Sequence, residues 1–95
     1  MFVILLKFSH NKSQAGALMD AHNTWIQRGL DEGVFLVVGS LQPALGGAIL
    51  AQAADLGEIE MRVQDDPFVA EGVVSADILE ITPNRTDDRL KFLLG

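Results

Sequence analysis

The chain has no cysteine, no tyrosine, a single tryptophan and only two histidines, His10 and His22. Without cysteine there is no disulfide framework and no thiolate chemistry, which fits a reducing compartment. Two histidines without H-x-x-x-H spacing offer little to a dedicated metal site, so no metal or other cofactor is expected. Bases are scarce as well: 7 Lys and Arg stand against 13 Asp and Glu, a net charge of −6. They are scattered along the chain. Nucleic acid and anionic membrane both require a basic footprint, so neither is expected as a partner. No apolar run approaches the roughly 20 residues of a membrane span. The opening stretch Met1 to Lys7 lacks a basic leader and is too short for a signal peptide. The expectation is a soluble, cytoplasmic protein.

What is present is apolar. Hydrophobic residues make up 48% of the 95 positions, enough for one core and an interface. A chain this short buries a smaller share of its surface than a large one, and self-association is a direct way to bury more. No repeat, low-complexity segment or interdomain linker interrupts it. One domain is expected over residues 1–95, with a core at 1–82 and a tail at 83–95.

Phe2 to Phe8 is bulky and β-forming on both faces, which predicts a strand covered on both sides. A helix is predicted from Lys12 to Glu32. Asn11 with Gln14 forms its capping-box pattern, and Ser13 is a competing N-cap. Leu18, Met19, His22, Trp25, Ile26 and Gly29 or Leu30 make its apolar stripe, while Asn23 falls on the wetter side. Gly33 is placed to end it in the left-handed conformation. Val34 to Gly39 reads as a central strand, Ser40 to Gly47 as a loop, and Gly47 to Gln52 as an antiparallel third strand.

Asp55 and Glu58 repeat the capping-box signature ahead of a second helix from Leu56 to Gln64, with Leu56, Ile59 and Val63 facing inward. Pro67 keeps Asp66 out of the helical region, so that helix stops near Asp65. Phe68 to Gly72 adds one turn. Val73 to Thr82 is the last strand, closed by Pro83. The tail carries Leu90, Phe92, Leu93 and Leu94, which are costly to leave in water. It is expected to pack on its own subunit or a partner, as a short helix begun by Thr86 or Asp87.

The order β-α-β-β-α-β predicts an α+β, ferredoxin-like sandwich: a four-stranded antiparallel sheet with both helices on one face. The strands are apolar on their second face too. Another copy of the same sheet is the simplest cover, so a homodimer is expected.

Few residues suit chemistry. His22 is a lone histidine on the apolar stripe of a helix. Its type suits acid–base work near neutrality, and a carboxylate on one ring nitrogen leaves the other free as a base. It also reads as a satisfied core or interface histidine, and spacing does not separate the two. Asp66 is either that carboxylate or an ordinary turn residue before proline, and its neighbour Asp65 can fill the same part. Ser40 is a candidate for orienting a substrate or a water, or a plain strand-end serine. No G-x-S-x-G elbow accompanies it. Gly46-Gly47 lacks the lysine and helix start of a phosphate loop.

His22 in mid-helix, Gly33 before an apolar strand, Gly39 at its end and the corner Asp66-Pro67-Phe68-Val69-Ala70-Glu71-Gly72-Val73 together resemble the YciI-like family, within the dimeric α+β-barrel group. The resemblance covers about residues 1–82. It implies two sheets packed face to face in a dimer, and a His–Asp dyad formed here by His22 and Asp66. It also implies isomerisation or elimination chemistry of the muconolactone-isomerase or dehydrochlorinase kind. Two positions depart from the pattern. Met19 stands where many members carry an arginine, which removes an anion anchor. Gly39-Ser40 replaces Gly-Pro, which adds a hydroxyl near the implied cleft.

These readings converge on a homodimeric, cofactor-independent acid–base enzyme acting on a small organic molecule, with His22, Asp66 and Ser40 as site residues. The alternative is a non-catalytic dimer that binds a small molecule in the same cleft.

Overall fold

A computed structural model describes all 95 residues. Four strands form one antiparallel sheet: β1 (Phe2–Phe8), β2 (Phe35–Leu41), β3 (Gly46–Ala51) and β4 (Val74–Glu80), in the spatial order β2-β3-β1-β4. Helices α1 (Ala15–Asp31) and α2 (Leu56–Gln64) and the single turn α3 (Pro67–Ala70) complete the ferredoxin-like arrangement. Its core is built from β1 outward. Phe2, Ile4 and Leu6 are buried toward the helices and meet Ala51 and Ile49 of β3, with Trp25, Ile59, Val63 and Phe68 above them. Val3 and Leu5 lie on the opposite face and are half-buried.

β2 is an edge strand, not the central strand its apolar sequence predicts. Its run is apolar because α1 covers one side at Phe35, which is buried, whereas Val37 on the other side is 59% exposed. A bulge between Phe35 and Val37 shifts the register. Phe35 pairs with Ala51 and Val38 with Ile49, so both face the helices despite their odd spacing. The bulge thereby places Ser40, two residues beyond Val38, on the helix side as well. The strand also runs on through Ser40 to Leu41, which shortens the expected loop.

α1 starts differently from its sequence signature. Lys12–Gln14 is a 3-10 turn, and Gln14 precedes the α-helix without a side-chain cap. The expected Asn11 box does not form. The Asn11 amide instead donates to the Glu71 carbonyl at 2.7 Å, tying the start of the helix to the α3–β4 corner. At the other end Gly33 adopts φ +73°, as its position predicts. Gly29 is required where α1 crosses β2, because a Cβ there would lie 2.1 Å from the Phe35 ring.

α2 spans the predicted residues. Asp55 accepts from the Glu58 amide at 3.0 Å, but Glu58 returns its bond to Ala54, one residue earlier than a standard box. Ile59 and Val63 are buried, whereas Leu56, expected inward, is exposed in the first turn. The tail forms a kinked 3-10 segment, Asp88–Leu94, capped by Asp87. Leu90 and Leu93 flank a groove beside Leu50 and Ile81, while Phe92 and Leu94 remain exposed, so packing on its own chain is incomplete. No helix is long and apolar enough to cross a membrane.

Candidate active site

Two local rules deliver the central pair. The α1 stripe carries His22 onto the helix face above the sheet, one turn before Trp25 and Ile26. Pro67 holds Asp66 extended, at φ −67° and ψ 120°, where it becomes the N-cap of α3. Asp66 Oδ1 accepts from the Phe68 amide at 3.0 Å and from His22 Nδ1 at 2.7 Å. The cap bond orients the carboxylate, and the carboxylate orients the imidazole.

Asp66 is fully buried, and its Oδ2 has no hydrogen-bond partner in the chain. His22 lies flat on the Phe68 ring, with centroids 3.9 Å apart and planes at 4°. Trp25 flanks it at 5.9 Å and is held in turn by an indole bond to the Arg62 carbonyl at 2.9 Å. With an ionised carboxylate, which only accepts, and a neutral imidazole, Nδ1 donates the shared proton and Nε2 keeps a lone pair. Nε2 has no partner in the chain and is not sealed from solvent; the His22 side chain is 11% exposed.

His22 opens onto a cleft of about 370 Å³ between α1 and the sheet. Its wall is mainly aliphatic and aromatic, with Leu6, Phe8, Ile26, Val38 and Phe68 prominent. Ser40 lines the same cleft from β2, and its hydroxyl makes no hydrogen bond within the chain. Asp65 does not belong to this site. It is exposed and borders a separate groove between α1 and α2, with Arg28, Glu32, Glu58 and Arg62. His10 packs its ring over Gly72 and is also absent from the cleft. No three His, Asp or Glu side chains converge anywhere as a metal cluster would.

Sequence reasoning missed two features of the wall. Asn23, assigned to the wetter side of α1, lines the cleft beside His22. Gly46 and Gly47 form part of its floor, where a side chain on Gly46 would meet the Leu6 carbonyl at 1.9 Å. The adjacency of Asn23 to His22 was a usable signal, since a wide cleft takes in neighbours on both sides of a helical position.

The YCII-related domain matches residues 1–82 of this chain. The chain belongs to the YCII-related domain family. The matched span runs through β4 and leaves out the tail, so every residue of the cleft falls within it. No curated protein matches at a significant level. Among solved structures, this YCII-related chain is similar to 5-chloro-2-hydroxyhydroquinone dehydrochlorinase from Burkholderia phenoliruptrix AC1100, in complex with 2,5-dihydroxybenzoquinone. Identity is 14%, the TM-score is 0.68, and the match covers 85% of this chain and 93% of that one. At that identity the likeness establishes the shared fold.

Proposed function

We propose that this protein is a small, cofactor-independent enzyme that moves a proton on a small organic molecule, by isomerisation or elimination. The observation that carries the reading is the 2.7 Å contact between His22 Nδ1 and Asp66 Oδ1, with the opposite ring nitrogen unpartnered at the wall of an apolar cleft. His22 Nε2 takes a proton from a carbon or hydroxyl of the substrate. Asp66 holds the tautomer and stabilises the imidazolium that results. In an isomerisation the imidazolium returns the proton at a second position. In an elimination the electron pair of the broken C–H or O–H bond expels a leaving group. Ser40 hydrogen-bonds a substrate oxygen from the sheet side. The similarity in fold to a dehydrochlorinase supports the elimination form.

The working unit in this proposal is a cytoplasmic homodimer formed through the open face of the sheet. Support comes from Val37 and Leu79 on that face, which are 59% and 53% exposed. The test of catalysis is chloride release from 5-chloro-2-hydroxyhydroquinone, together with turnover of a panel of lactones and cyclic enones, by wild type and His22→Ala. Loss of about two orders of magnitude or more in kcat is expected for the variant on any substrate found, the usual contribution of a positioned acid–base group. Undiminished turnover by His22→Ala ends the general-base assignment.

A further inference from the structure

The cleft in front of His22 is almost free of charge. At the chain's overall 21% charged content, its 15 wall residues would include about three of Asp, Glu, Lys and Arg. They include none. The neighbouring α1–α2 groove, of nearly equal volume, is bordered by Arg28, Arg62, Glu32, Glu58 and Asp65, so charge is sorted between the two sides of α1. The cation found against a wall residue is Lys12. Its ammonium sits 4.5 Å over the Phe8 ring centroid, and Lys12 itself does not line the cleft.

The polar wall groups besides His22 are neutral: the Asn23 amide on α1 and the Ser40 hydroxyl on β2. Neither makes a side-chain hydrogen bond within the chain, although both are exposed polar groups beside apolar walls. Behind the imidazole lies a fully buried carboxylate whose second oxygen is unpartnered. Its field is poorly screened in the interior and opposes a second negative charge nearby. Facing a neutral His22 imidazole, an anionic ligand entering the cleft loses water and gains no counter-ion, which is expensive.

Resting on the proton-transfer reading of the same cleft, we propose that its substrates are uncharged, compact rings bearing hydroxyl or carbonyl oxygens, and that Asn23 and Ser40 hold those oxygens from opposite walls. Carboxylated analogues are rejected. Asn23 is thereby a positioning residue, not a proton carrier. The amide offers a donor and an acceptor, and the hydroxyl adds one of each, so two oxygens on one ring are met without charge.

The test uses two probes that differ by one carboxylate: resorcinol and α-resorcylate. Binding to the 95-residue chain is followed by amide chemical shifts at His22, Asn23, Val38 and Ser40. Resorcinol is expected to shift these amides, with α-resorcylate at least tenfold weaker. Asn23→Leu, at an exposed helical position, should weaken resorcinol several-fold and narrow the gap between the probes only slightly. Met19→Arg, which places a cation on the cleft wall, should reverse the preference. Equal or tighter binding of α-resorcylate to wild type overturns the proposal, as does the absence of cleft shifts with either probe. The same titration in His22→Ala separates the two readings. If discrimination persists there while turnover never depended on His22, the substrate class stands and the catalytic assignment falls. If His22 proves essential for turnover but carboxylates bind better, the reverse holds.

Discussion

His22 rests on Phe68, ring on ring, at 3.9 Å and 4° from parallel, while the backbone amide of that same Phe68 binds the carboxylate that binds His22. One residue therefore sets both the plane of the imidazole and the position of its partner. The α3 turn is only four residues long, and its first residues and cap place these two groups together.

That arrangement makes Phe68 separable from the dyad. Phe68→Leu keeps most of the buried volume and leaves the amide in place, but it removes the flat support. Turnover should fall about tenfold or more, with a loss of stability near 1 kcal/mol, in the range for volume-conserving core changes. Steady-state kinetics and urea denaturation measure the two. Equal losses of activity and stability would show that the ring serves packing alone.

Asp66→Ala removes the acceptor for His22 and the cap of α3 at once. The cap contributes about 1 kcal/mol, and leaving a buried donor unpaired costs about 1–3 kcal/mol more. Asp66→Asn keeps one oxygen for both bonds, so it should retain more stability than the alanine variant. It should still lose most activity, because the amide does not stabilise an imidazolium as a carboxylate does. Thermal unfolding paired with turnover distinguishes the variants, and an active Asp66→Ala protein contradicts the assigned role.

Gly29→Ala ordinarily stabilises a helix by about 1 kcal/mol. Here the added methyl lies 2.1 Å from the Phe35 ring, so the sign should invert. A net destabilisation of about 1–3 kcal/mol is expected from overpacking. Chemical denaturation of the variant decides it, and a gain in stability would mean that β2 and α1 separate more easily than their packing indicates.

The exposed apolar face tests the dimer. Val37→Asp places a charge on the open side of β2, away from the cleft. Sedimentation velocity at micromolar concentration should show wild type as a dimer and the variant shifted toward monomer. A wild-type monomer under those conditions removes the face-to-face arrangement.

Asp87 provides an acid-side prediction. The Arg89 side chain, and then the Arg89 backbone amide, hold its carboxyl below the ordinary aspartate value. A depressed folded value means that the tail cap is fully present above the unfolded pKa and is lost as pH falls through the folded one. Carboxyl carbon NMR should show Asp87 titrating below 3.8 in wild type and moving upward in Arg89→Gln. An unchanged titration would place the stabilisation elsewhere.

Local chemistry made much of this legible from the chain itself. Pro67 after Asp66, Gly33 after α1 and Asp55 before α2 act through steric limits and hydrogen bonds that span only a few residues. Their structural consequences appear at those positions. Alternating and helical periodicity likewise determined the β-α-β-β-α-β order, because side-chain direction follows from backbone geometry. Asn11 shows where such rules stop. Its capping pattern is sound locally, but a carbonyl 60 residues away, at Glu71, takes its amide instead.

Tertiary structure alone decided the site's walls. The bulge in β2 changes which side of the sheet Val38 and Ser40 face, and no residue in that strand announces it. Packing determined that Asp66 and not Asp65 meets His22, that Asn23 borders the cleft, and that the charged side chains gather on the far side of α1. Each depends on contacts between segments distant in sequence, whose free energies outweigh any single residue's local preference. The chemistry available to the protein is set by its residue types, while the pairing of His22 with Asp66 in front of a nearly uncharged cleft is a product of the fold.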